Sequence, residues 1–459
     1  MGKPWFYLTM AVLVLGFCAF SGAESREDFF RIDDLRPGMR GTGKTCFQGT
    51  EPEDFDVEIL GVLRGVSPGA DAILARFSGG PLEKTGIFSG MSGSPVFIDG
   101  KLLGAVAYSY AYSTEAIGGI TPIDQMISAV EESEALPSGK IYKKGSLWNY
   151  KLPLPSSGLN AAEFPELISR RANLSGGGNR LLPITTPVSL GGFDPRAIKT
   201  FAPMFGGIGM TLLEGAAADA ASLKTAVLPF QPGDNVAVSL VQGDLDVSAG
   251  GTVTWVDGDR LYAFGHELMS SGFTELPMRK ASAIAVIPNI ESSFKVLEAG
   301  AVIGTVRQDR SSGIFGIIGE RPRTIPLEAR LTTSRRALKT FRYEIARDAL
   351  LTPSLVSLVV YNTILASERA QGFLTLRVTG KIRVKGQPDV EIGGRFSSNL
   401  DAAAGASLAV AVPVNHLMAG GYENLDIEGI EVDITAVERD QLAALDSIRL
   451  DRTEARAGE

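Results

Sequence analysis

The chain has 459 residues, 44 basic and 52 acidic side chains, a net charge of −8 and 53 glycines. That length allows two or three domains, each with its own core. With no basic run the acidic balance argues against a nucleic-acid partner. Only Cys46 follows the first 23 residues, which excludes an intramolecular disulfide and a multi-cysteine zinc site.

In chain order, Lys3 precedes an apolar stretch from Trp5 to Phe20 and the small residues Ser21-Gly22-Ala23. This pattern predicts an export signal over 1–23 and a periplasmic or extracellular mature protein. No later segment reads as a membrane helix. Short Val/Ile/Leu runs between Gly/Pro/Asp turns predict a mostly β protein. The first block, 24–136, closes with a helix from Thr121 to about Ala135, with Thr121 as N-cap and Pro122 in the first turn. Residues 137–227, rich in Gly and Ser, read as a linker or insertion. A second β block covers 228–335. The alternating pattern of 336–459 predicts an antiparallel, sandwich-like β domain that breaks off at a strand start over 446–452. This domain is expected to dock substrate or an envelope partner.

Two glycine-rich motifs compete for attention. Gly38-Met39-Arg40-Gly41-Thr42-Gly43-Lys44-Thr45 matches the phosphate-loop pattern letter for letter. That pattern needs a buried strand before it and a helix after it, because the helix N-terminus holds the phosphate. Here a charged segment precedes and Cys46-Phe47-Gln48-Gly49 follows, so no nucleotide partner is expected. The second motif, Gly90-Met91-Ser92-Gly93-Ser94-Pro95, leads into the apolar run Val96–Ile98, an Asp99-Gly100 turn and a return strand over 102–108. A serine shown on a strand-loop-strand unit is how chymotrypsin-type peptidases present a nucleophile. The amides of Gly90 and Ser92 would face an oxyanion. The unreactive alternative is an ordinary Gly/Ser hairpin loop.

The chain has two histidines. Nothing around His416 suggests chemistry. His266 ends the apolar run Leu261–Phe264 beside Gly265, a place from which an imidazole can reach across a cleft as general base. The adjoining Glu267 makes a His-Glu pair, but position 270 is Ser and glycines flank it, so no metal site is expected. Cys46 reads as a buried small hydrophobe.

Leu82-Glu83-Lys84-Thr85-Gly86, the Gly90–Pro95 hexapeptide and Gly104-Ala105-Val106 together resemble the SpoIVB-type serine peptidases, the family of the stage IV sporulation signalling protease. Phe264-Gly265-His266, Gly304-Thr305-Val306 and Gly313-Ile314-Phe315-Gly316 are similar to the same bacterial family. The resemblance implies a chymotrypsin-like double β-barrel with Ser92 as nucleophile and His266 as base, acting on proteins or peptides without a cofactor. Two departures stand out. Here the serine half precedes the histidine half, implying half-domains in permuted order. At the family's acid position stands Ser78, leaving the third member of the triad open, with Asp71 or Glu267 as substitutes. Two functional expectations follow: an exported serine endopeptidase using Ser92 and His266, or a catalytically silent peptidase-like scaffold of the cell envelope.

Overall fold

The computed structural model describes residues 29–134, 180–215 and 229–447, the last stretch without 369–371, 400, 423–424, 442 and 444–445. The expected export signal, and all of the expected final strand but 446–447, lie outside the described residues.

Six antiparallel strands form a closed barrel. They are β1 (Arg40–Thr45), β2 (Glu53–Ser67), β3 (Ala70–Ser78), β4 (Pro95–Ile98), β5 (Lys101–Tyr110) and β6 (Ile117–Pro122). Pairing runs β4-β1-β2-β3-β6-β5, and β5 pairs back to β4. Alternation along β2 shows why: Phe55, Val57 and Ile59 are buried inside while Asp54 and Asp56 face solvent. The β4–β5 hairpin turns at Asp99 (φ 50°) and Gly100 (φ 78°), the left-handed pair that a two-residue hairpin demands. The phosphate-loop look-alike forms β1, with β2 rather than a helix after it. Its glycines serve packing: a Cβ at Gly43 would strike the Phe55 ring.

The helix after β6, α2, spans Ile123–Glu134; a four-residue turn, α1 (Leu82–Thr85), precedes the hexapeptide. Thr121 does not cap α2. It lies in β6, and its hydroxyl donates 2.6 Å to the carbonyl of Gly265. A threonine before a proline offers both roles, and the long-range partner takes it.

The stretch expected as a linker is partly built into sheets. β7 (Leu181–Pro183) pairs with β5, and β8 (Thr186–Gly191), α3 (Pro195–Gly206) and β9 (Met210–Gly215) extend the second sheet. That sheet contains β10 (Asn235–Gly243), β11 (Asp246–Asp257), β12 (Arg260–Ala263), β13 (Gly272–Ile287), β14 (Phe294–Arg310) and β15 (Gly313–Ile318). Their pairing runs β10-β13-β14-β15-β12-β11, and β11 also pairs with β10. Between the two strand systems, Ile123, Met126 and Val130 of α2 pack with Trp255, Tyr262 and Phe315.

The C-terminal part is not an antiparallel sandwich. β16 (Thr324–Thr332), β17 (Leu338–Ala346), β18 (Leu374–Val384), β19 (Val390–Ser398) and β20 (Ile427–Val437) make a mixed layer in the order β19-β18-β20-β16-β17. β16 and β20 are parallel, and β17 joins β10. The layer therefore crosses the expected boundary at 335. Two helices, α4 (Thr352–Leu365) and α5 (Ala402–Ala419), pack together against it. Nearly every α4 residue is buried, so its sequence carries no 3.6-residue stripe and does not separate from a buried strand. α5 has the length and apolarity of a membrane span, a feature passed over in the sequence, and is largely buried in this fold.

Candidate active site

The hexapeptide loop between α1 and β4 is fixed through its carbonyls. Gly90 O accepts from the Thr252 hydroxyl (3.1 Å), Ser92 O from the Thr252 amide (2.8 Å) and Gly93 O from the Thr254 hydroxyl (2.8 Å). Met91 O accepts from both the amide and the hydroxyl of Ser94. On the donor side, the amides of Met91, Gly93 and Ser94 are used, whereas those of Gly90 and Ser92 donate to nothing among the described residues. Gly90 and Gly93 both sit at φ 94°. A Cβ at Gly93 would overlap the Thr252 carbonyl and the Phe264 amide, so only glycine lets the loop meet β11 this closely.

The same β11 residue leads to the histidine. Thr252 O accepts from the Phe264 amide at 3.2 Å, and His266 follows two residues on, in the loop between β12 and β13. Two non-glycine residues there are left-handed, Phe264 (φ 71°) and Ser270 (φ 55°). Each such conformation costs on the order of 1–3 kcal/mol. His266 Nδ1 lies 2.7 Å from the carbonyl oxygen of Glu267. A carbonyl only accepts, so Nδ1 carries the proton and Nε2 presents a lone pair. Burial drives the imidazole down to about 4, against the opposing bond to Glu267. The ring is therefore neutral at pH 7.

Ser92 is 0% exposed and His266 2% exposed. Ser92 Oγ and His266 Nε2 each lack a hydrogen-bond partner among the described residues.

The expected substitutes for the third member stand elsewhere. Ser78 is exposed at the end of β3, opposite Asp56. Asp71 accepts from Arg64 (2.7 Å) and from the Gly65 amide (2.8 Å). Glu267 contributes its main-chain carbonyl, not its carboxylate, which burial holds above the usual range. His416 is exposed at the end of α5, its Nδ1 on Val412 O.

A buried lysine behind the loop escaped the sequence reading. Lys295 packs its Cβ against Gly90, and its Nζ donates to Asn235 Oδ1 (2.8 Å) and Thr45 Oγ1 (3.2 Å). Burial lowers the ammonium to about 8 and raises the neighbouring Cys46 thiol to about 11. Nothing in a strand reading "FKVLE" marks a lysine as interior. Outside the loop, a groove of about 830 Å³ is bordered by Ile87, Ser89, Tyr112, Leu182 and Ile290.

Residues 39–127 match the family model described as SpoIVB peptidase S55, which supports a SpoIVB-type serine peptidase. The match covers the first barrel and the Ser92 loop and stops before His266; it is well under half of the chain. No curated protein and no solved structure matches significantly.

Proposed function

We propose that the chain is an exported SpoIVB-like serine endopeptidase in which Ser92 attacks the peptide carbonyl and His266 Nε2 takes the hydroxyl proton. The proton then passes to the leaving amine, and water repeats the cycle on the acyl-enzyme. On this reading the two strand systems are chymotrypsin-like half-domains in permuted order, the first carrying the serine and the second the histidine. One observation carries it: the hexapeptide loop has every carbonyl from Gly90 to Gly93 tied down while the amides of Gly90 and Ser92 donate to nothing among the described residues. Two preorganised donors next to a nucleophile are what an acyl-transfer site needs for its oxyanion. The Nδ1–H tautomer of His266 supports the base role.

The silent-scaffold reading draws on a different observation. Both reactive side chains are almost without accessible surface, and among the described residues no carboxylate bonds to the imidazole. Incubating an unstructured protein such as casein with the mature chain separates the two. Cleavage products absent with Ser92→Ala support the endopeptidase; intact casein with a folded, monodisperse chain supports the scaffold.

A further inference from the structure

The peptide unit that follows His266 has two ends, and both are engaged. Its carbonyl, from Glu267, faces His266 Nδ1 at 2.7 Å. Its amide, from Leu268, donates to Asp309 Oδ1 at 2.7 Å. The second carboxylate oxygen, Oδ2, accepts from the amides of Met269 (2.8 Å) and Ser271 (2.9 Å). Asp309 lies on β14 and is 1% exposed. A buried carboxylate spending both oxygens on three amides of one short loop is a clamp on that loop. The loop needs one, because Phe264 and Ser270 hold left-handed backbone on either side of His266.

We propose that Asp309 is the positioning acid of the site, acting on His266 through the single peptide group that joins Glu267 to Leu268. The inference rests on the reading of Ser92 and His266 as the reacting pair. A carboxylate in direct contact would orient the imidazole, select its tautomer and stabilise the imidazolium. Here the carbonyl of Glu267 fixes orientation and tautomer. The carboxylate polarises that carbonyl from the far end of the amide, since linked hydrogen bonds reinforce one another. When Nε2 takes the proton of Ser92, Nδ1–H stays where it is and the ring becomes cationic. The charged groups around Asp309 are Arg310 beside it, Asp348, whose Oδ2 receives the Ser271 hydroxyl, and the Glu267 carboxylate. Burial holds the Asp309 carboxyl above the usual range, against the opposing pull of its three amide bonds.

Nitrogen-15 NMR of the histidine rings tests this, because only His266 and His416 contribute signals and His416→Gln assigns them. In the unaltered chain His266 is expected as the Nδ1–H form with Nε2 unprotonated; an Nε2–H ring would overturn the inference without any variant. Asp309→Ala is expected to mix the tautomers, with Asp309→Asn, which keeps one acceptor, falling between. In parallel, the saturating rate at which a fluorophosphonate phosphonylates Ser92, with loss of fluoride, should fall at least tenfold in Asp309→Ala while the inhibitor's binding constant holds. A clamp that is only structural would lower the melting temperature and leave the tautomer and phosphonylation rate unchanged well below it. If the unaltered chain is not phosphonylated at all, the endopeptidase reading fails, and the ring signals still decide the role of Asp309.

Discussion

The two loops that meet at β11 are held in different ways. The Ser92 loop takes its shape from its own glycines at φ 94° and a proline leading into β4, and its carbonyls are then tied to the hydroxyls of Thr252 and Thr254. The His266 loop is held by two distant side chains, the Thr121 hydroxyl on Gly265 and the Asp309 carboxylate on three amides, and it keeps strain at non-glycine residues. A loop fixed by its own glycines shows itself locally in sequence. A loop fixed only by residues 38 or more positions away does not.

The contrast is sharpest where it is broken by substitution. Gly93→Ala should cost the most, at least about 3 kcal/mol, because the new methyl meets backbone of β11 and of the Phe264 turn and φ is left-handed. Urea unfolding should show it as a lower midpoint with unchanged slope.

Next in size comes acid. The folded imidazole of His266 sits at about 4, below its ordinary value of 6.5, so the unfolded chain binds the extra proton between those limits. Stability is then full above pH 6.5 and falls as pH drops toward 4, by on the order of 3 kcal/mol. Denaturant titrations at pH 7 and pH 4.5 should differ more for the unaltered chain than for His266→Phe.

Removing single hydroxyls gives a smaller and more even test. Thr121→Val strips the Gly265 carbonyl of its donor, and Thr252→Val does the same to Gly90. Each should cost about 1–3 kcal/mol, the penalty of an unpaired buried carbonyl. Only Thr121→Val should change the His266 ring signals. The smallest effect concerns Cys46. Buried, with its thiol raised to about 11, it should react with a thiol reagent at pH 8 only as fast as the chain opens. Rapid labelling of the native protein would contradict its placement beside Lys295.

What was readable in the sequence follows the same division. The Val96–Tyr108 hairpin and the burial of Cys46 rest on local pattern, and each is found. Ser92 and His266 stood out because a Gly-Ser hexapeptide is locally distinctive and histidine is scarce. Asp309 could not be found this way: it is one acid among many, on a strand, 43 positions after His266. The C-terminal helices were missed because α4 is apolar on all sides. The supposed linker hid β7, β8 and β9, short strands whose partners lie in other parts of the chain.

The most direct test of the account is intact-mass analysis of fluorophosphonate labelling at pH 5 and pH 7.5, on the unaltered chain and on Ser92→Ala and His266→Ala. With a ring that stays neutral down to about 4, one adduct per chain is expected at both pH values, and none on either variant. Labelling that survives in His266→Ala, or none on a folded unaltered chain, would contradict an activated Ser92.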